Sequence, residues 1–451
     1  MGSQPMEQDP ATARATLRRG VGLSGVVVFG AGTAIGVSIF TVLQPAAQIA
    51  GSGMLVAIGI AAVPMVLFAA TYAYLGSALP VSGASYEWPR RFLGPLAGFV
   101  IAWLRILSNV GATTVLALVL VKYLGMAVPV PLKPTMAAAI TLIYGLNYIG
   151  ITVAARLQLA LMALLLAVLA ALVMLGAPYV ELSRIGSPLA PGWAAIGAGV
   201  PLLITLFLGI ESAVEIGEEV RQPQRNLPLG IALAILLTAL VYGAVAFVSL
   251  GLVGAGRLAA TEAPLLEAAR IPFGRWAVPV IVIAATASIL KSLNAVAVSF
   301  SRSLFAMGRS GVLPARVAFI HPRFHTPHIA VLLAYALVIT GLLLPSSVVF
   351  LLLAVNVPTM LKYVACSLSA VRAATSCPDV HARSRVGFEV ATVRRLGYAA
   401  AGCGVLIILL GMQADWRPYL LVTAWLAVGL TYWTLRRRHL GGDLSSTESG
   451  T

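Results

Sequence analysis

The chain has 451 residues, 59% hydrophobic and 10% charged, with a mean hydropathy of +0.95 and a formal net charge of +15. A soluble globular protein carries about 25% charged residues and about 45–50% apolar ones, so no water-soluble fold of this length hides so much apolar surface. The basic residues fall in short clusters between apolar runs, as cytoplasmic membrane loops do, which excludes a nucleic-acid groove.

Residues 1–20 are polar, with Arg14, Arg18 and Arg19 ahead of the first apolar run and no cleavage site behind them. They read as a cytoplasmic tail rather than a signal peptide. Along the rest of the chain, the ~20-residue length of a spanning helix predicts about twelve spans. They lie near 22–43, 54–78, 93–124, 133–150, 154–177, 197–217, 228–252, 276–306, 328–344, 347–371, 397–413 and 416–435. With the tail inside, Arg90, Arg91, Arg221, Arg225, Arg309, Arg316, Arg323, the 372–395 group and Arg436 to Arg438 also face inward. That places both termini in the cytoplasm of a multi-pass protein of the cell (inner) membrane. The polar stretch 374–396 reads as a solvated cytoplasmic loop and 436–451 as a second tail. No polar stretch is long enough to build its own core, which excludes a separate catalytic domain.

The first span contains Gly30-Ala31-Gly32-Thr33-Ala34-Ile35-Gly36-Val37-Ser38-Ile39-Phe40. Each of its glycines weakens a helix by about 1 kcal/mol relative to alanine. Either small residues let helices pack closely, or the segment unwinds and its free amides and carbonyls bind a ligand. A dinucleotide loop is excluded: the spacing is one residue too long, no strand precedes it and no acid follows at the required distance.

On the third span Arg105, Asn109 and Thr113 recur every four residues and form one polar face. Asn109 there either touches a substrate or bonds a neighbouring helix. The fifth span has no charge from Leu157 to Val180. The sixth carries Phe207, a lid or a core aromatic, and Glu211, whose charge inside a span costs about 2.5–3.5 kcal/mol and so faces protein or water. Glu215, one helical turn on, is expected to share its face. Glu218 and Glu219 are expected at the cytoplasmic exit near Arg221 and Arg225.

Of 30 Lys and Arg residues only Lys122, Lys133, Lys291 and Lys362 are lysines. A buried lysine can release its proton and an arginine effectively cannot. Lys122 and Lys362 are expected to snorkel. Lys291, near the middle of the eighth span, follows Ser288 and adjoins Ser292, with Ala295 and Ser299 along the same face. That small, polar stripe belongs in the bundle interior. Asn356 is a weaker candidate on the tenth span. Cys366, Cys377 and Cys403 have no paired or metal-ligand spacing, and His321, His325, His328, His381 and His439 all lie outside the predicted spans. No metal, cofactor or catalytic group is expected, and the chain does not read as an enzyme.

Four stretches, in order, resemble the amino acid–polyamine–organocation (APC) permeases. They are the glycine-rich opening helix, then Leu79-Pro80-Val81-Ser82-Gly83-Ala84-Ser85-Tyr86, then Gly209-Ile210-Glu211-Ser212 with Glu218 to Pro228, and Ser301 to Pro314. The resemblance implies an all-α membrane protein with two inverted five-helix repeats (21–180 and 195–373), helices 1 and 6 broken at mid-membrane, the loop 374–396, and two extra helices in 397–435. It also implies the site. A substrate carboxylate would face the amides around Gly36, Val37 and Ser38, at a half-helix N-terminus. Its ammonium would face carbonyls near Ala34 and Phe207-Leu208, beside the break at Gly209. Here Val37 replaces the family's usual Ser and Ser38 its usual Gly, so the hydroxyl has moved one position.

Relatives commonly place an acid at Glu211, which implies a structural or proton-sensing carboxylate coupled to the gate. Relatives generally have Gly at Lys291. Some proton-coupled members carry a lysine on helix 5 in place of a sodium ion between helices 1 and 8, and that lysine is absent here. Lys291 then supplies the cation from helix 8 or binds an acidic group on the substrate. The alternative is a structural lysine paired with Glu211 or a backbone carbonyl. The implied function is secondary transport of an amino acid or related amine by alternating access, coupled to protons. An uncoupled exchanger and a non-transporting sensor are the rivals.

Overall fold

The computed structural model describes residues 17, 19–36, 38–261, 263–343, 348–412 and 417–440. In chain order the helices are α1 (Leu23–Ala34), α2 (Ser38–Thr41), α3 (Leu43–Ala50), α4 (Met54–Ala78), α5 (Ala84–Phe92), α6 (Pro95–Leu124), α7 (Leu132–Ile149), α8 (Ile151–Gly176) and α9 (Leu182–Ile185). They continue as α10 (Gly192–Leu203), α11 (Pro223–Ala260), α12 (Pro264–Phe273), α13 (Ala277–Arg309), α14 (His328–Thr340), α15 (Val348–Ser376), α16 (Pro378–Arg383), α17 (Val390–Met412) and α18 (Arg417–Leu440). Among the described residues, eight helical stretches are long and apolar enough to cross a membrane, and His328–Leu343 and Tyr419–Leu435 are shorter apolar helices.

The long helices do not show a single apolar stripe. Val63 and Val66 on α4, Met174 on α8 and Leu240 on α11 are exposed, while the same helices bury apolar residues on their inner sides. A helix hydrophobic all round has no polar face to offer water, so its outer surface belongs in lipid.

The inner layer is built on α1, which packs against α8, α11 and α13. Helix stops at Ala34; Ile35 has left the α region (φ −75°, ψ 62°), and helix resumes at Ser38. A second interruption follows α10. Its last turn tightens to a 3-10 helix at Ile204–Phe207, Leu208 is extended, Gly209 takes φ 102°, and 3-10 turns run over Ile210–Glu215 and Gly217–Glu219. The exit of this segment is held by main chain on two sides. Val21 N–H donates to Glu219 O (3.1 Å) and Arg221 N–H to Val21 O (2.8 Å), while Gly83 N–H donates to Glu215 O (2.9 Å).

Outside this core, α15 packs on α17, and α18 closes on α6. There Trp103 and Trp425 stack with centroids 5.0 Å apart, each indole N–H donating to the other's carbonyl at 2.9 Å.

Candidate functional site

The two interruptions touch. A Cβ on Gly209 would lie 2.7 Å from Thr33 Cβ, and the positive φ disfavours any side chain there. Gly209 therefore serves both its own turn and the close approach of α1. The glycines of α1 divide between the two sequence readings. Gly32 is helical and lies against Gln158 and the Lys291 stem, whereas Gly36 sits in the break, where a Cβ would lie 2.6 Å from Ser292 Oγ.

Gly209→Ala is expected to lose about 1–2 kcal/mol from the left-handed backbone alone, and more from the clash with Thr33. Gly197→Ala is the control, since Gly197 is an exposed position on α10 where a Cβ meets nothing within 4 Å. Thermal unfolding of the two purified variants checks this, and equal melting temperatures would show that Gly209 is dispensable.

Unwinding α1 leaves carbonyls without helical partners. Lys291, fully buried on α13, fills that need: its ammonium donates to Gly32 O and to Ile35 O (2.6 Å). Ser288 Oγ also donates to Ile35 O (3.3 Å). Of the alternatives for Lys291, the geometry shows the backbone carbonyls and not Glu211. Among the described residues no carboxylate forms an ion pair with it.

On the other side of the break Tyr242, from α11, donates to Ala34 O (2.8 Å) and lies within hydrogen-bonding reach of the Ser38 side chain and the Gly36 amide. Gly36 N–H itself turns back to Ala34 O at 2.7 Å. Three of the backbone positions expected at a substrate are thus gathered around one phenol. Val37 lies outside the described residues.

Glu211 projects from the second break into a buried cluster. One oxygen accepts from Lys362, and the other accepts from the Tyr363 hydroxyl and from Gly209 N–H (3.0 Å). Lys362 does not snorkel; it is 4% exposed, because a carboxylate inside the bundle satisfies it better than a long reach to the surface. Glu215 does not share the face of Glu211. At about three residues per turn, positions four apart diverge. Glu215 meets Arg105 and the Ser85 hydroxyl, and Arg105 reaches on to Ser299 Oγ at 2.8 Å.

Glu219 lies at the exit of this segment, and its side chain is fully buried in a two-pronged pair with Arg302 (2.8 and 3.1 Å), while Glu218 pairs with Arg309 at 3.0 Å; neither forms an ion pair with Arg221 or Arg225 among the described residues. Phe207 is completely buried at the end of its 3-10 turn, and Leu208 is half-buried. Asn109 is 8% exposed, and its Nδ2 has no hydrogen-bond partner among the described residues. Asn356 is half-buried on α15, and Lys122 is exposed at the end of α6.

Sequence reasoning missed Tyr242, Tyr363 and the chain Asn147–Asn294–Gln158. In that chain Asn147 Nδ2 donates to Asn294 Oδ1 (2.9 Å) and Asn294 Nδ2 to Gln158 Oε1 (2.8 Å). Uncharged amides and phenols carry no net charge to single them out within a span. Arg302, a charge within a predicted span, did carry a legible signal.

Two small cavities flank the interruptions, each of about 10 Å³, room for one water. One lies among Ser38, Leu203, Leu206 and Tyr242; the other touches Glu211, Tyr72 and Tyr363. Neither admits a molecule of amino acid size.

The family model described as amino acid permease matches residues 21–433. An "Uncharacterized transporter" of Mycobacterium tuberculosis is 35% identical over 333 residues, 73% of this chain and 75% of that protein. Two Bacillus subtilis proteins are similar over nearly their whole length. The "Branched-chain amino acid permease BcaP" is 25% identical, covering 94% of each chain, and the "Methylthioribose transporter" is 26% identical, covering 97% of each.

Proposed function

The chain belongs to the amino acid permease family, and from that premise we propose that it carries an amino acid across the cell membrane by alternating access, with protons as the coupling ion. It is a multi-pass membrane transporter rather than an enzyme. The proposed topology has twelve spans, both termini in the cytoplasm, two five-helix repeats at 21–180 and 195–373, and two further helices. One interruption in each proposed repeat supports this arrangement. The names of the Bacillus subtilis relatives specify a branched-chain amino acid and methylthioribose, so kinship alone leaves the cargo's chemistry open.

The observation that carries the coupling is Lys291. It is a buried amine whose ammonium is held by two carbonyls of the broken α1 and by no carboxylate among the described residues. Charged, it ties α13 to the break and satisfies the freed carbonyls. After releasing its proton it holds them with weaker, neutral hydrogen bonds, because charge-assisted bonds are about twice as strong. Protonation thus biases whether the end of α1 and the break behind it stay fastened to α13. Glu211 suits the role of gate positioning, since it links the second break to α15 through Lys362 and Tyr363. The substrate's carboxylate and ammonium would take over the backbone groups of Ala34, Gly36, Val37, Ser38 and Phe207 to Gly209, with Asn109 beside its side chain.

The test is uptake of labelled amino acids into proteoliposomes with and without an inward proton gradient. A gradient of one pH unit supplies about 1.4 kcal/mol per proton, so one coupled proton supports about tenfold accumulation. Accumulation of that order is expected. Uptake that occurs only into preloaded vesicles would replace symport by exchange, and binding without movement would make the protein a sensor.

A further inference from the structure

Every buried carboxylate among the described residues already has a basic partner. The four are Glu87, Glu211, Glu215 and Glu219. Glu87 is held by Arg90 (3.0 Å) and Arg91 (3.2 Å), Glu211 by Lys362, Glu215 by Arg105 and Glu219 by Arg302. The buried bases are Arg105, Lys291, Arg302 and Lys362, and only Lys291 lacks a carboxylate. Among the described residues the interior around the two breaks therefore offers no free anion, and its one unpaired ionisable group, Lys291, is a base.

From this balance we infer that the cargo is a zwitterionic amino acid with an uncharged side chain, and that cationic amino acids and polyamines are rejected. The inference rests on the transport reading above and narrows it. A second positive charge on the substrate would enter a low-dielectric site and find no free carboxylate to meet it, whether or not Lys291 is charged, a situation in which desolvation is not repaid. An acidic side chain fares no better. The guanidinium of Arg105 and the ammonium of Lys362 are engaged by acids, and Lys291 is fully buried and turned to the Gly32 and Ile35 carbonyls. Among the described residues, the polar atom left unpaired on the Arg105–Asn109–Thr113 face is a neutral amide donor, Asn109 Nδ2. Lys362 is the residue that closes Glu211 to cations; without it, the carboxylate beside Gly209 would be the natural partner for a basic side chain.

The experiment is ligand-induced thermal stabilisation of the purified full chain in detergent, titrated with alanine, isoleucine, phenylalanine, glutamate, lysine, arginine and putrescine. At least one neutral amino acid is expected to bind on the order of a hundredfold more tightly than lysine, arginine, putrescine or glutamate. A charged ligand binding within tenfold of the best neutral one overturns the inference and leaves transport of an amino acid or amine standing. Stabilisation by none of these ligands overturns both. In Lys362→Met, with Lys362→Gln as the milder replacement, the preference for neutral over cationic ligands is expected to fall at least tenfold. If the folded variant keeps the original preference, Lys362 does not set the charge selection.

Discussion

Lys291→Arg protein is expected to lose accumulation driven by a proton gradient. Arginine keeps the positive charge that the Gly32 and Ile35 carbonyls accept, yet it effectively never deprotonates. The cation is then permanent, and under the proposed coupling proton release can no longer alternate with substrate movement. Lys291→Met should fail for the opposite reason, because no titratable amine remains and the Gly32 and Ile35 carbonyls keep only the longer bonds from Ser292 Oγ (3.4 Å) and Ser288 Oγ (3.3 Å). The useful readout is the ratio of uptake with the gradient to uptake without it, so that differences in reconstitution cancel. For both variants that ratio should fall from about tenfold to near one. Arginine supporting the same ratio as lysine would remove Lys291 from the coupling step.

The second large effect concerns stability. Arg302 and Glu219 form an ion pair with both side chains wholly buried, Arg302 on α13 and Glu219 at the exit of the second break. Removing one partner strands the other charge, and Arg302→Met or Glu219→Met should each cost about 3–5 kcal/mol. The double replacement Arg302→Met with Glu219→Met removes both charges together and should recover most of that loss. Thermal unfolding of the four proteins forms a complete cycle. Additive losses in the double variant would mean that the two residues act separately and that the pair is not the stabilising unit.

Much of the architecture was open to reading because lipid imposes a length and a polarity on each helix. The stretches 54–78, 93–124 and 154–177 fall on α4, α6 and α8 almost residue for residue. The first break was signalled by its own glycines and the position of the second by the resemblance; both residues need their missing side chains, Gly36 against Ser292 and Gly209 against Thr33. Lys291 stood out because a charge inside a span is costly wherever it points.

The pairings were harder. Glu211 and Lys362 are 151 positions apart, Arg105 and Glu215 are 110 apart, and the choice among acids depends on helix packing rather than on local pattern. Lys362 and Lys122 looked alike in the sequence; one is buried on a carboxylate and the other is exposed at a helix end. The 3-10 winding after Gly209 explains the misassigned face of Glu215, since a four-residue step assumes an α-helix.

The fastening at the exit of the second break is made of main chain. Val21 and Arg221 each contribute an N–H, and neither bond depends on which side chain is present. A screen that trims side chains to alanine would pass over both positions and score the join as unimportant. Proline is the substitution that exposes it, because proline alone removes the donor itself. Genetic tolerance at residues 21 and 221 therefore measures the value of their side chains and says nothing about the value of the join.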